Sequence, residues 1–212
     1  MKIAVLANGL LKEEMQQKIS GNDVSIVWAN SIEELIVVGD ADAYFDLEFS
    51  NETERIDKLQ RLLTKPVFIN AVVDTLSSIG KSFIRINAWH GFLERSISEV
   101  VVMDEEQKTK AEKIFDQLNW NHRFVPDIQG MVTARILAMM INEAYYTLQD
   151  DVSTKEEIDI AMKLGTNYPF GPFEWSEKIG LKNIYYLLVE LSKTDNRYQA
   201  AETMVKEVST PD

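Results

Sequence analysis

The stretch Gly165-Thr-Asn-Tyr-Pro-Phe-Gly-Pro-Phe-Glu-Trp-Ser-Glu-Lys-Ile-Gly-Leu181 decides how the second part of this chain folds. Pro169 and Pro172 fix φ and lack amide donors, so neither flanking helical pattern can absorb the segment. Gly171 between them permits a backbone turn that a Cβ would resist. The sequence therefore predicts a stiff, aromatic-lined elbow between two helices.

Helical patterns continue on both sides of the elbow. Upstream, apolar residues recur at helical spacing from Ile128 to Leu148, through Met131, Ile136, Met139, Met140, Ala144 and Tyr145. Ser153-Thr-Lys-Glu156 reads as a capping box with Ser153 as the N-cap. Downstream, Glu174–Ile179, Asn183–Lys193 and Ala200–Val208 read as helices.

The pattern before Pro126 is different. Short β-rich runs at Lys2–Ala7, Asp23–Trp28, Ala43–Phe49, Pro66–Ala71, Phe83–Ala88, Ser98–Met103 and His122–Val125 read as strands. Leu10–Ile19 reads as a helix, Gly21-Asn22 as a turn, and Asn51 as the N-cap of a helix reaching about Leu63. Strands separated by helical runs predict an α/β domain with a mostly parallel sheet over residues 1–126. Residues 127–212 are then an all-α C-terminal domain.

Composition narrows the function. A formal net charge of −12 opposes nucleic-acid binding, which needs cationic neutralisation of phosphates. With no cysteine there is no disulfide, no thiolate nucleophile and no cysteine zinc site. Two histidines, His90 and His122, leave no evident metal set. The acidic clusters Asp40/Asp42/Asp46/Glu48 and Asp104/Glu105/Glu106 read as solvated turns and helix starts. No apolar run spans a bilayer, and Ile3–Ala7 is too short for a secretory signal, so a cytoplasmic protein is expected.

Asp127-Ile-Gln-Gly130, Asn142-Glu-Ala144, Ile158-Asp-Ile-Ala-Met-Lys-Leu-Gly165 and Tyr168-Pro-Phe-Gly-Pro-Phe-Glu174 together resemble the C-terminal domain of the 3-hydroxyacyl-CoA dehydrogenases. In the first domain the resemblance concerns element order: a truncated Rossmann-like sheet preceding the helices. The resemblance implies NAD as cofactor, an acyl-CoA substrate and a homodimer formed through the helical domain. At helical spacing Met139-Met140 and Tyr145-Tyr146 read as core or dimer interface rather than a substrate surface, and the implied homodimer gives them a destination.

Against that family pattern, several positions depart. The dinucleotide turn G-x-G-x-x-G falls on Ala7, Gly9 and Lys12, so only the middle glycine is kept. Glu13 and Glu14 follow in the first helical turn, where they compete with a bound anion. The ribose-binding carboxylate position at the end of the second strand is Trp28, whose indole accepts no hydrogen bond. Gly9, Lys12 and Trp28 are thus the candidate cofactor-binding residues. Of the family's His–Glu dyad, the glutamate aligns with Glu99 and the histidine with Asn87, which has no titratable nitrogen. His90, three residues on, is the candidate substitute, and Glu99 and His90 are the candidate catalytic pair. The family's substrate-positioning asparagine aligns with Ala134, and its serine run with Ile69-Asn-Ala-Val-Val73, which keeps Asn70 but no hydroxyl.

Three functions follow as expectations. One is a catalytically impaired relative, a pseudoenzyme candidate, that binds an acyl-CoA or nucleotide-like ligand. A second is an active NAD-dependent 3-hydroxyacyl-CoA dehydrogenase with relocated residues. The third is a dimeric interaction or scaffold protein with a vestigial cleft.

Overall fold

Strands that are apolar on both faces persist only inside a sheet covered on both sides, and Ile3-Ala-Val-Leu6 is of this kind. The computed structural model describes residues 1–21 and 23–210, arranged as two units, Met1–Met131 and Val132–Asp212. In the first unit all seven expected strands form: β1 (Lys2–Leu6), β2 (Ser25–Ala29), β3 (Ala43–Asp46), β4 (Val67–Asn70), β5 (Ile84–Ile86), β6 (Ser98–Val101) and β7 (His122–Phe124). They make one sheet in the order β2-β1-β3-β4-β5-β6-β7, parallel throughout except between β5 and β6. The expected α/β, truncated Rossmann-like fold followed by helices is borne out. Of the expected Gly21-Asn22 turn, Asn22 lies outside the described residues.

The helices α1 (Gly9–Lys18), α2 (Ile32–Ile36), α3 (Thr53–Gln60), α4 (Leu76–Ile79) and α5 (Glu105–Gln117) accompany the sheet. Alternation along the strands divides their side chains between two cores. Ile3, Val5, Phe45, Phe68 and Val100 pack with α1 and α5, where Phe45 stacks on Phe68 at 4.5 Å. Ala4, Leu6, Tyr44, Ile69 and Val101 pack with α2, α3 and α4. Helices α2 and α4 escape the sequence reading because one turn of helix shows no periodicity. Their caps define them, Ser31 accepting from the Glu34 N–H and Thr75 from the Ser78 N–H. Asn51 does not cap α3: Glu52 takes that place, and the Asn51 amide donates instead to Asp74 at 2.7 Å.

A guanidinium lies inside this unit. Arg85, on β5, is 0% exposed, donating to the Ala71, Val72 and Ile128 carbonyls and pairing with Asp127. Asp127 in turn accepts from the N–H groups of Leu76 and Ser77 and from the Ser77 hydroxyl, at 2.9–3.0 Å. The same network displaces the expected start of the long helix. Gly130 donates to the Val72 carbonyl, and Gly130 and Met131 both have positive φ (73° and 49°), which no helix tolerates. Met131 is consequently buried in the core of the first unit rather than on a helical stripe.

The second unit contains α6 (Thr133–Gln149), α7 (Lys155–Thr166), α8 (Pro172–Ile179), α9 (Leu181–Ser192), a short 3-10 turn at Asn196–Tyr198 and α10 (Glu202–Ser209). The cap of α7 is Thr154 with Glu157, one residue later than expected, while Ser153 donates its hydroxyl to the Glu157 carboxylate. Asn142, buried in α6, holds the lead-in to α10: its amide donates to the Gln199 carbonyl and its oxygen accepts from the Ala201 N–H. No helix among the described residues is long and apolar enough to cross a membrane.

The elbow is built on a buried carboxylate. Asp159 of α7 accepts from the Phe173 and Glu174 N–H groups at 2.8 and 3.2 Å, capping α8, whose first residue is Pro172. Gly171 has φ −73°, so it is not required for its backbone conformation. It is required for space: a Cβ there would lie 2.2 Å from Asp159 Oδ1.

Two outcomes follow from these contacts. Gly171→Ala is expected to cost about 3 kcal/mol, because the methyl expels a carboxylate that caps two N–H groups; a thermal melt matching wild type would contradict this. For Asp127, burial pushes the carboxyl up, but the Leu76 and Ser77 N–H groups and Arg85 outweigh it and hold the pKa below the ordinary carboxylate range. Such a group stabilises the fold above about pH 4 and loses that contribution as pH falls through the depressed value. Asp127→Asn is therefore expected to flatten the acid limb of the stability profile. It should also cost about 3–5 kcal/mol at pH 7, since Arg85 is left buried without its counter-charge. An unchanged acid limb in denaturant titrations would count against it.

Candidate functional site

In a doubly wound sheet, ligands bind at the carboxyl ends of the strands where the strand order reverses. Here that point lies between β1 and β3. The chain leaves β1 through Ala7 and Asn8 and enters α1 at Gly9, whose φ of +49° explains why this glycine is kept. A dinucleotide needs the N–H groups of this turn for its pyrophosphate. One of them is already used: the Asn8 N–H donates to Glu48 Oε1 at 3.0 Å.

Glu48 is held there from below. Arg55 of α3 grips Asp46 with two bonds of 2.7 and 2.6 Å, and Asp46 Oδ1 accepts from the Glu48 N–H at 3.2 Å. Burial pushes the Asp46 carboxyl up, while the guanidinium works against that shift. Asp46 is fully buried, so the solvated role expected for this acidic cluster is wrong at its centre. Asp104 does cap a helix start, accepting from the Gln107 N–H at the beginning of α5.

The other two altered fingerprint positions meet each other. Lys12 Nζ stands 5.2 Å from the centre of the Trp28 ring, a cation–π contact. A lysine stem thus covers the half-buried indole at the end of β2, where the family pattern has a ribose-binding carboxylate.

Further along the edge, Asn70 ties strand ends together, donating to the Leu47 and Ala88 carbonyls and accepting from the Ala88 N–H. Its amide is fully engaged in structure. Asn87 and Glu99 lie opposite one another where β5 and β6 pair, with the Asn87 N–H directed at the Glu99 carbonyl. Asn87 is buried and its Nδ2 has no hydrogen-bond partner among the described residues. By strand alternation both side chains belong to the face of Val101, covered by α2, α3 and α4.

His90 is turned elsewhere. Its Nδ1 lies 3.4 Å from Oε1 of Glu14, and both Glu14 oxygens accept from the Gly91 N–H, at 2.9 and 3.0 Å. Glu14 is buried on α1, which covers the opposite face. The sequence reading placed Glu14 in the first helical turn, competing with a bound anion, whereas it lies a turn further on and is buried. The signal it passed over is spacing, since Leu11, Glu14 and Met15 share the buried stripe of α1. Ala134, in the second unit, is buried near the start of α6 and offers only a methyl group.

Comparison with known proteins separates the two units. Residues 130–211 match the family model of the 3-hydroxyacyl-CoA dehydrogenase C-terminal domain. The 3-hydroxyadipyl-CoA dehydrogenase of Escherichia coli is 45% identical over 67 residues, which are 32% of this chain and 14% of that protein. The 3-hydroxybutyryl-CoA dehydrogenase of Bradyrhizobium diazoefficiens is 40% identical over 84 residues, 39% of this chain and 29% of that protein. The matched part therefore spans less than a third of either relative's length. Among solved structures, (S)-3-hydroxybutyryl-CoA dehydrogenase from Ralstonia eutropha superposes with a TM-score of 0.75 at 19% identity, covering 98% of this chain and 93% of that one. The 3-hydroxybutyryl-CoA dehydrogenase of E. coli gives 0.74 at 14%, covering 98% and 56%. These likenesses establish the fold, and residues 130–211 match the C-terminal domain of the 3-hydroxyacyl-CoA dehydrogenases, as the elbow motif implied.

Proposed function

We propose that this 3-hydroxyacyl-CoA dehydrogenase-like protein binds an acyl-CoA or nucleotide-like ligand and does not carry out ordinary NAD-dependent dehydrogenation. The observation that carries this reading is the Glu48 carboxylate on the Asn8 N–H. A pyrophosphate placed there meets a like charge at contact distance, a juxtaposition that costs several kcal/mol. The remaining cofactor positions do not offset that. Trp28 supplies no acceptor for ribose hydroxyls, and Lys12 is laid over its ring. The residues present do not fit NAD in its usual seat.

The chemistry of the dyad position supports the same reading. Asn87 cannot accept a proton near neutral pH, and loss of a general base alone forfeits roughly 10²–10⁴-fold in rate. In the helical unit, Ile136, Ile160 and Leu164 are exposed apolar side chains, Leu164 by 83%. A homodimer through this unit is the arrangement that would cover them.

With NADH and acetoacetyl-CoA both saturating, the purified chain is expected to oxidise NADH no faster than the uncatalysed mixture. Acetoacetyl-CoA alone should raise its melting temperature. Turnover of about 1 per second or more, within the ordinary enzymic range, would overturn the proposal in favour of an active dehydrogenase.

A further inference from the structure

The amino-terminal edge of the sheet, at the other end of the strands from the seat between β1 and β3, carries a concavity of its own. Asp42 precedes β3, and Lys65 and Pro66 precede β4; with Lys110, Lys113 and Ile114 of α5 they line a cavity of about 460 Å³. That volume falls within the range of small-molecule sites, roughly 300–1,000 Å³. A smaller cavity of about 170 Å³ shares Lys65, Pro66 and Lys110 with it and reaches Ser82 and Gln107.

The charge of this cavity runs against that of the chain. Carboxylate side chains outnumber cationic ones 34 to 22, yet three ammonium groups border the cavity against the single carboxylate of Asp42. Asp42 is moreover committed, its Oδ2 accepting from the Lys2 N–H at 2.9 Å. Lys110 pairs with Glu106 at 2.6 Å, whereas Lys65 and Lys113 have no ion-pair partner among the described residues. Lys110 and Lys113 stand three apart on α5 and share a face, where like charges repel. The helix dipole does not account for them, because its pull is confined to the last turn and α5 runs on to Gln117. An anion held between the lysines removes the repulsion.

The rest of the lining narrows the ligand. Lysine serves phosphate as a point charge, without the fixed fork that arginine imposes. Neither cavity has an aromatic side chain on its wall, so a nucleobase has nothing to stack on. Asp104 and Glu106 line the smaller cavity, and carboxylates accept from hydroxyl groups but repel a second anion. We propose that this edge binds the phosphate or pyrophosphate group of a small, non-aromatic metabolite, with Lys65, Lys110 and Lys113 around the anion and the hydroxyl-bearing remainder toward Gln107. The site lies within the first unit, and it depends neither on the Glu48 contact nor on acyl-CoA binding.

The test uses the full chain in phosphate-free buffer at about 50 mM salt, where screening leaves such contacts measurable. Inorganic pyrophosphate and glycerol 3-phosphate are titrated calorimetrically, and amide shifts in ¹H–¹⁵N spectra report where they sit. At least one is expected to bind saturably with Kd below about 1 mM, shifting the amides around Lys65 and along Lys110–Ile114. Lys65→Gln/Lys113→Gln should weaken that binding about tenfold or more, while Lys193→Gln/Lys206→Gln, two lysines of the second unit, should leave it unchanged. All four side chains are exposed, so both variants are expected to melt as wild type does. No saturation below about 10 mM, or equal weakening by the two variants, would overturn the proposal. So would shifts confined to the turn at Asn8 and Gly9, which would put the anion in the dinucleotide seat instead.

Discussion

The first unit is organised around a charge that has no access to water. Arg85 is wholly buried, so each of its N–H groups that goes unmatched would leave an expensive desolvated donor. Matching them brings together the end of β4 through Ala71 and Val72, the start of α4 through Asp127, and the exit segment at Ile128. These are segments distant in sequence, and all lie along the carboxyl edge of the sheet. The closed turn at Gly130 and Met131 sits on the same edge, the Gly130 N–H donating to the Val72 carbonyl that also accepts from Arg85.

The edge so built has the topology of a dinucleotide fold, and at its principal seat the Asn8 N–H is engaged by Glu48. The sequence Arg55 to Asp46 to Glu48 to Asn8 runs from a helix on one face to the turn at the head of α1. Each link restrains the next, because Arg55 fixes Asp46 and Asp46 fixes the backbone of Glu48. Lys12 over Trp28 does the same to the neighbouring ribose position. Where the family pattern has three glycines this chain has Ala7, Gly9 and Lys12, and the Glu48–Asn8 and Lys12–Trp28 contacts lie beside them.

Much of this was legible in the residues. Seven strands, the parallel sheet and the helical second unit follow from alternation and periodicity, which report burial directly. The elbow was found through its prolines, though for an incomplete reason: Gly171 makes room for Asp159 rather than adopting a special dihedral. One-turn helices such as α2 and α4 carry no period to detect. Asp46 was misread because a carboxylate in a linear sequence looks solvated, and Glu14, set against a bound anion, is buried instead. Whether a carboxylate is buried depends on a partner such as Arg55 or Gly91 brought in from elsewhere by the fold. Met131 was misread because its apolar character is satisfied by the first unit rather than by a helix.

The account turns on whether the seat between β1 and β3 is closed to a dinucleotide by Glu48. Calorimetric titration of the full chain with NADH measures this without reference to turnover, and energy transfer from Trp28 to the reduced nicotinamide offers the same reading optically. The wild-type chain is expected to show no saturable binding below about 1 mM NADH. Saturation in the micromolar range with Glu48 intact would contradict it.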